Sequence, residues 1–411
     1  MNQPTSSFWL NDSPYKVFRS TPELPQRSQV VVIGGGITGV STAYWLRKQG
    51  IEVTLLEQRG ISEGATGRNG GHIASAPIEQ FLNALKNYGK DTAYAIRDYS
   101  QKTTQAIQAF VRDNNADCDL KFTGGMELAL TQEELIHTQK IVDTLTKYGF
   151  EFEFWDADTC AEKMHSSSFV GGFFLDFRGQ IWAAKLVFAI AAQAIELGAN
   201  VQTQTPVISV EREQNGLRVN SDRGSIQADH VVYATNAWAS HLLPFLKEII
   251  RPIRGQVLVT EPCDRLWNFG FSTNYDYEYC IQRPDSRIVL GGMRWKSPTY
   301  EEDIIDDSQL EMQVSKGLRE FLPKHFPALK PIKIEQEWTG IMGFTPDHNP
   351  LIGALPDRPN EWIAAGFTGH GMSRTFLAGK AISEAIAQKD SDLFIDAFLP
   401  NRFLGEEKIA C

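Results

Sequence analysis

The sequence predicts an α/β protein with a Rossmann-like first domain and a second, α+β domain built on an antiparallel sheet. Residues 30–57 read as a strand, a glycine-rich turn, a helix and a second strand, which is the pattern of a parallel βαβ unit. Residues 251–260, 278–283 and 287–291 read as short strands separated by turn residues, as in an antiparallel sheet. A chain of 411 residues, 42% of them hydrophobic, also exceeds the size at which one core keeps growing.

Three glycines in the first unit have the spacing of a dinucleotide-binding turn. Gly34 permits the tight turn after the strand, Gly36 lets the backbone approach a pyrophosphate, and Gly39 lets the helix lie close to the sheet. The helix N-terminus then presents free N–H groups to the phosphates. Glu57 ends the second strand, where an acid hydrogen-bonds a ribose hydroxyl. A plain βαβ unit is the alternative, but all the parts stand where a dinucleotide requires them.

A glycine-rich loop at residues 60–71 follows the acid of the second strand. Its backbone amides, together with Thr66, Arg68 and Asn69, are suited to complete a phosphate and cofactor cradle. A flexible surface loop is the alternative interpretation. Residues 77–114 then carry apolar side chains at helical spacing.

Helices and strands alternate through the middle of the chain. The predicted elements are a strand at 124–130, helices at 132–148 and 183–197, and strands at 201–203, 207–211, 217–220 and 230–234. The last strand runs into T-N-A-W at 235–238. Because α/β folds bind ligands at the carboxyl ends of their strands, Thr235 is a candidate ligand contact. The same residues fit an N-capped helix start, and the two interpretations are compatible.

A second glycine-rich turn lies near the end of the chain. A short apolar strand at 362–365 leads into G-F-T-G-H-G-M at 366–372, and a helix is predicted at 373–388. The turn lacks the G-x-G-x-x-G spacing, so it does not predict a second nucleotide fold. The start of its helix is placed instead to face another part of the same long cofactor.

Composition narrows the class of protein. The net charge of −10 argues against nucleic acid or an anionic membrane surface as the main partner. Five dispersed cysteines without a C-x-x-C pair indicate reduced thiols and a cytoplasmic location. We find no signal peptide, no integral membrane segment, no metal-ligand spacing and no Ser-His-Asp set.

Five motifs together resemble the FAD-dependent amine and amino-acid oxidase family, which includes glycine oxidase and sarcosine oxidase. They are the N-terminal fingerprint, G-A-T-G-R-N-G-G, Y-A-T-N-A-W, W-T-G-I-M-G-F-T-P-D-H-N-P-L-I-G and A-A-G-F-T-G-H-G-M. R-N-G-G and the S-F-W sequence of the N-terminal arm are most similar to the γ-glutamylputrescine oxidase branch. The resemblance covers nearly the whole chain, although its substrate-domain part is diffuse.

The resemblance implies a discontinuous FAD-binding domain and a substrate domain whose sheet covers the flavin. The FAD-binding domain would comprise residues 1–80, 157–250 and 335–411, and the substrate domain residues 81–156 and 251–334. Val207 matches the position whose backbone meets the adenine, and Gly369 to Met372 match the stretch over the flavin pyrimidine ring. The implied FAD-binding residues are Gly34, Gly36, Ile37, Thr38, Gly39, Glu57, Gln58, Thr66, Arg68, Asn69, Gly70, Gly71, His72, Val207, Thr235, Gly340, Gly369, His370, Gly371 and Met372.

Two departures from the family pattern bear on the chemistry. Gly340 stands where sarcosine oxidase attaches its flavin through cysteine, so we expect non-covalent FAD. Ser373 replaces the lysine that helps to bind a substrate carboxylate, which makes a simple N-methyl amino acid a poorer fit. Other arginines could bind a carboxylate, although surface or structural roles are equally open: Arg254, Arg283, Arg294 and Arg374.

The implied reaction is oxidation of a carbon–nitrogen bond to an imine that hydrolyses. The cofactor carries the hard step, so little acid–base work falls to side chains. Tyr279, Gln282 and Arg283 are expected to line the substrate, but alternation along a strand allows only some of them to face the flavin. His370 either contacts flavin or substrate, or merely packs between two glycines.

A polyamine derivative or related amine is the favoured substrate, with O2 as the electron acceptor. An amino-acid dehydrogenase that passes electrons to a quinone or a protein is the nearest alternative. A non-catalytic flavoprotein is a remote one, since a large domain over a flavin usually encloses a substrate site. The oligomeric state is left open by the sequence.

Overall fold

The computed structural model describes residues 3–76, 78–330 and 332–404. Its strands are β1 (Arg27–Ile33), β2 (Val53–Leu56), β3 (His72–Ala74), β4 (Gly125–Ala129), β5 (Glu153–Asp156), β6 (Gly171–Leu175), β7 (Arg178–Gln180), β8 (Asn200–Gln202), β9 (Val207–Glu213), β10 (Gly216–Ser221), β11 (Gly224–Tyr233), β12 (Arg251–Thr260), β13 (Gly270–Thr273), β14 (Glu278–Gln282), β15 (Ile288–Gly292), β16 (Ile334–Phe344), β17 (Leu351–Ala354) and β18 (Glu361–Ala365). Its α-helices are α1 (Ile37–Lys48), α2 (Ile78–Tyr88), α3 (Lys90–Asp113), α4 (Gln132–Thr146), α5 (Ala157–Met164), α6 (Ala183–Glu196), α7 (Ala239–Leu242), α8 (Met312–His325), α9 (Thr375–Ile386) and α10 (Asn401–Leu404).

The first sheet has a parallel centre, as the sequence predicts. Its strand order is β17-β18-β11-β1-β2-β8, and β10 and β9 extend it from β11 as an antiparallel pair. β1, β2, β8, β11 and β18 all run parallel. α1 packs against α6 and α9 over one face, and a second apolar cluster covers the other. Coverage on both faces explains why the last four residues of β1, residues 30–33, are all valine or isoleucine.

The second sheet has the order β16-β12-β15-β14-β13-β4-β6-β5. Its pairs are antiparallel except β4 with β13, which run parallel. α8 packs on β12 and β15, and an apolar cluster fills the space between helix and sheet. The α+β second domain is therefore confirmed, with one parallel pair where two distant segments of the chain meet.

Most predicted elements are found within two residues of their expected ends. The strand expected at 230–234 is longer, since β11 begins six residues earlier at Gly224, and the long helical stretch is divided. The helical stretch expected at 77–114 is two helices, α2 and α3, separated at Gly89, whose φ is 86°. The helix expected from residue 373 begins instead at Thr375, after a 3₁₀ turn at Gly371–Ser373. No helix in the described part of the chain is long and apolar enough to cross a membrane.

The domain boundaries stay a prediction, but the strands show where they need adjustment. β6 and most of β16 fall in segments assigned to the first domain, whereas both strands are hydrogen-bonded into the second sheet. The chain therefore returns from the second sheet to the first later than the predicted boundaries place it, after Leu175 and again after Phe344. Cys118, Cys160, Cys263 and Cys280 are free thiols, and Cys411 lies outside the described residues.

Candidate active site

A cavity of about 880 Å³ lies between the two sheets. It runs from the glycine turn after β1, along the loop after β2, to the turn before α9, and the second sheet forms its opposite wall. The predicted residues that line it are Gly34, Gly36, Ile37, Thr38, Glu57, Gln58, Thr66, Arg68, Asn69, Gly70, His72, Val207, Thr235, Tyr279, Gly340, Gly369, His370, Gly371 and Met372. The structure thus brings together residues more than 300 positions apart in the chain.

The glycine turn leaves no room for side chains at two of its three positions. A Cβ at Gly34 would lie 2.6 Å from the carbonyl oxygen of Ala234, and φ there is +111°. A Cβ at Gly39 would lie 1.8 Å from the carbonyl oxygen of Gly34. At Gly36 the nearest atom would be Oγ1 of Thr66, 3.5 Å away, so this glycine faces open space. Gly39 is therefore a packing residue behind the cavity wall, and Gly36 is the point where a ligand can approach the backbone.

Glu57 holds the turn in place. Its carboxylate accepts hydrogen bonds from the backbone N–H of Gly35 at 2.6 Å and of Arg59 at 2.7 Å. Burial raises the pKa of Glu57, against the lowering effect of these two bonds. The predicted ribose acid thus also orders the loop that carries it, and Glu57 lines the cavity.

Arg68 braces the loop after β2. Its guanidinium donates to the backbone carbonyls of Thr5, Glu63 and Thr339 at 2.8, 2.9 and 2.9 Å. Burial lowers the pKa of Arg68 to about 10. The side chain therefore joins the N-terminal arm and β16 to the loop, although it was expected as a cofactor ligand. Gly340 fits this role, since a Cβ there would lie 2.8 Å from Cβ of Arg68.

The turn before α9 closes the far end of the cavity. Nδ1 of His370 lies 2.8 Å from the carbonyl oxygen of Thr368 and 2.6 Å from the side-chain amide of Gln80. These contacts fix the imidazole ring at the cavity wall. Oγ1 of Thr235 and Nε2 of His72 are buried without a hydrogen-bond partner among the described residues, and both residues line the cavity. Such orphaned groups are expected where a polar ligand completes the site.

Tyr279 projects from β14 into the cavity between two glycines. A Cβ at Gly70 would lie 2.3 Å from its ring, and a Cβ at Gly291, its partner in β15, would lie 2.4 Å away. The His72 ring meets it edge to face, with centroids 5.6 Å apart. Burial raises the pKa of Tyr279 to about 12, so the phenol stays protonated at neutral pH. Tyr279 is the predicted strand residue that does reach the site.

Gln282 and Arg283 do not reach the cavity, which corrects the expectation that they contact substrate. Alternation turns Gln282 to the other face of β14, where its oxygen accepts from the backbone N–H of Leu266. Arg283 lies beyond the end of the strand, paired with Asp285 and stacked 4.3 Å from the Trp182 ring. Gly71 also lies behind the wall, where a Cβ would meet Ile281 at 2.8 Å.

A group of charged residues lies on the second-sheet side of the cavity. Glu127 on β4 stands opposite Ser272 on β13 and binds Arg178 at 2.6 Å. Asp276 lines the same wall, in a turn where its φ is 66°. Burial and the nearby Asp276 raise the pKa of Glu127 to about 7, against the opposing effect of Arg178. With two carboxylates and one guanidinium, this wall favours a positively charged ligand group.

Arg294 is the cavity arginine without a carboxylate partner. Its guanidinium carbon lies 5.3 Å from the Tyr277 ring centre and 5.6 Å from that of Phe344. Among the described residues, no carboxylate lies within ion-pair distance of it. Of the other arginines considered as carboxylate binders, Arg254 is buried against Glu301. Arg294 is therefore free to bind an anionic group of a ligand.

A histidine and a glutamate at the cavity wall link α2 to the segment after β16. Nδ1 of His348 lies 2.8 Å from Oε1 of Glu79. The hydrogen bond with Glu79 raises the pKa of His348 above its ordinary value. Because the pKa is raised on folding, the pair stabilises the fold fully below about pH 6.5 and loses that effect as the pH rises through the raised pKa.

We therefore expect the melting-temperature difference between the wild type and His348→Gln to be largest near pH 6 and to vanish at alkaline pH. Thermal unfolding followed by circular dichroism across this range measures it. Glu79→Gln is the matched variant and should show the same pH dependence. A difference that stayed constant with pH would contradict the ion pair.

Comparisons with known proteins agree with this geometry. Residues 29–385 match the profile of the FAD dependent oxidoreductase family. The chain belongs to this family. It is 29% identical to gamma-glutamylputrescine oxidoreductase of Escherichia coli over 97% of this chain and 92% of that protein. It is 26% identical to glycine oxidase of Bacillus licheniformis over 88% of this chain and 93% of that protein.

A solved structure shows the same fold. The L-proline dehydrogenase of P. horikoshii is 27% identical, and the match covers 93% of this chain and 99% of that chain with a TM-score of 0.76. This FAD-dependent oxidoreductase therefore has the α/β fold that the sequence predicts. FAD is its cofactor, and the residues present fit it: a glycine turn open at Gly36, orphaned polar groups at Thr235 and His72, and a cavity reaching from Glu57 to Met372.

Several cavity residues were not singled out by the sequence. Glu79, Glu127, Arg178 and Asp276 come from four separate segments that no local motif marks, and His348 lies within the W-T-G-I-M-G-F-T-P-D-H-N-P-L-I-G motif, where no role was assigned to it. Only strand pairing and helix packing bring them to one wall. Alternation along residues 124–130 could have indicated that Glu127 shares a face with apolar neighbours, but not what that face encloses.

Proposed function

We propose that this enzyme oxidises the carbon–nitrogen bond of an amine or amino acid, with a γ-glutamylputrescine-like polyamine derivative as the favoured substrate. The observation that carries the proposal is that charges of both signs line the cavity, the cation Arg294 and the acids Asp276 and Glu127. Such a site suits a ligand that bears both a carboxylate and an ammonium group. Ser373 in place of the family lysine moves the carboxylate site away from the position used for a small amino acid.

The relative in Escherichia coli supports this substrate class, since its name assigns γ-glutamylputrescine to it and the match spans nearly both chains. The reaction yields a carbonyl product and a released amine. The substrate loses its α-hydrogen as hydride and a proton from nitrogen, and water then hydrolyses the imine. Bound FAD supplies the two-electron acceptor.

The residues of this chain orient the substrate. Tyr279 lies near charged groups of both signs, since Arg294 and Asp276 both act electrostatically on its phenol. A phenol that stays protonated can donate a hydrogen bond to the substrate without exchanging its proton. The apolar part of the wall, with Phe173 and Phe177, excludes water from the chain of an extended amine.

Steady-state assays with γ-glutamylputrescine, putrescine, glycine and sarcosine test the substrate class. We expect the highest kcat/KM with γ-glutamylputrescine, which alone of the four carries an α-amino acid group at one end and a primary amine at the other. Activity with glycine and sarcosine only would refute the polyamine proposal. A cytoplasmic location, expected from the dispersed cysteines, remains part of this proposal.

We propose O2 as the electron acceptor, with H2O2 as its product. The structural likeness to L-proline dehydrogenase favours the alternative, an amino-acid dehydrogenase that passes electrons to a quinone or another acceptor. Reoxidation of the reduced enzyme in air and with a soluble quinone separates the two. Fast reaction with oxygen supports the oxidase, and slow reaction with oxygen but fast reaction with quinone supports the dehydrogenase.

A further inference from the structure

Arg374 is a fully buried arginine at the start of α9. Its relative exposure is 0%, and Nε, Nη1 and Nη2 all lack a hydrogen bond among the described residues. No carboxylate of the described chain lies within ion-pair distance of it. Buried arginines are rare unless paired, and a buried unsatisfied group calls for an explanation. Burial lowers the pKa of Arg374 to about 10, so it is still protonated at neutral pH.

Arg374 sits directly behind the cavity wall. Gly371, Met372 and Ser373 before it and Thr375 after it all line the cavity. The Tyr99 hydroxyl donates to its backbone carbonyl at 3.4 Å, and the Phe398 ring centre lies 5.3 Å from its guanidinium carbon. The residue therefore holds a positive charge in apolar surroundings at the start of α9.

Other buried arginines of the chain show what a structural role looks like. Arg68 is buried too, but it donates to three backbone carbonyls, and Arg254 pairs with Glu301. These bonds offset the cost of removing a guanidinium from water. Arg374 has no such bonds, so local structure alone does not account for its position.

The two carboxylates near Arg374 already form ion pairs with other residues. Asp347 binds Arg402 at 2.7 Å, and Glu79 binds His348. Both act on Arg374 only through longer-range electrostatics. A charge without a counterion in a low-dielectric interior acts on its surroundings with little screening. The N-terminus of α9 adds a partial charge of the same sign.

We propose that the buried charge of Arg374 stabilises the negatively charged reduced form of the bound FAD and so raises its reduction potential. Reduction places negative charge on the pyrimidine side of the flavin, and the family resemblance implies that the turn Gly369 to Met372 would lie over that ring. Arg374 does not itself line the cavity. It would act on the flavin through its electric field at that turn, and we therefore call it a positioning residue. The proposal rests on FAD binding and not on the identity of the substrate.

The test compares the midpoint potential of FAD in the purified, substrate-free holoenzymes of the wild type, Arg374→Met and Arg374→Lys, by equilibration with a reference dye. Arg374→Met should make reduction about tenfold less favourable, which is about 30 mV for a two-electron couple. Arg374→Lys keeps the charge and should stay near the wild-type potential. Removing an unpaired buried charge should not lower the melting temperature of the Met variant.

Arg97→Met is the matched control. Arg97 lies on α3, the helix that carries Tyr99, and donates to the backbone carbonyl of Tyr148 near the surface, so its loss should leave the potential unchanged. If Arg374→Met fails to fold, Arg374→Gln is the second neutral variant, with the same expectation. An unchanged potential in the neutral variant, or an equal fall in the neutral and Lys variants, would overturn the proposal.

Discussion

Gly39→Ala should yield a folded protein that no longer retains FAD. The added Cβ would lie 1.8 Å from the carbonyl oxygen of Gly34, so α1 and the glycine turn cannot both keep their positions. A shift of 1 to 2 Å at this point moves the helix N-terminus away from the pyrophosphate. Because the phosphate contacts depend on that alignment, we expect FAD affinity to fall by at least about 100-fold.

Absorbance of the purified variant and its titration with added FAD measure this effect. Lys48→Ala is the matched control, because it changes an exposed residue near the end of the same helix and should retain the cofactor. Circular dichroism checks that the Gly39 variant is folded. Normal flavin content in Gly39→Ala would show that the turn does not hold the cofactor as described.

Arg294→Met should lower kcat/KM for γ-glutamylputrescine by about 100-fold while changing it little for putrescine. No carboxylate of the described residues lies within ion-pair distance of the guanidinium, so we expect the substrate to supply one. Loss of one partner from a buried, hydrogen-bonded charge pair costs about 2 to 5 kcal/mol, and each 1.4 kcal/mol is tenfold. Putrescine carries no carboxylate and loses nothing by the substitution.

Steady-state kinetics with the two substrates measure this difference, and the loss should fall mainly on KM. Lys296→Met is the control, since Lys296 follows Arg294 in the same 3₁₀ turn, lies against Trp295 and does not line the cavity. An equal loss with both substrates would mean that Arg294 supports the structure of the site. No loss with either would place the carboxylate elsewhere.

The first domain was predictable from the sequence because its signals are local. The turn after β1, the helix behind it and Glu57 all lie within one short segment. The backbone contacts at Gly34 and Gly39 leave no room for a Cβ, so glycine at these positions indicates the turn. The strand at residues 251–260 was equally clear from its apolar pattern and matches β12 at both ends. Local sequence is enough where a local steric rule decides the conformation.

The second sheet and the substrate wall depend on distant contacts. β4 and β13 pair in parallel although they are about 140 residues apart, and this pairing sets Glu127 beside Ser272. Nothing near Glu127 in the sequence indicates that neighbour. Tyr279 and Gln282 show the same limit within one strand, because the alternation was clear but the face turned to the cavity was not. The sequence does not distinguish Arg374 from the other arginines, because its full burial follows only from the packing of distant segments.

The visible spectrum of the purified protein during anaerobic titration with amines shows both which cofactor is bound and whether an amine reduces it. We expect a flavin that is released on denaturation, because Gly340 offers no cysteine for attachment, and we expect γ-glutamylputrescine to bleach its spectrum in the absence of oxygen. A colourless protein that binds only NAD, or a flavin that no amine or amino acid reduces, would contradict it.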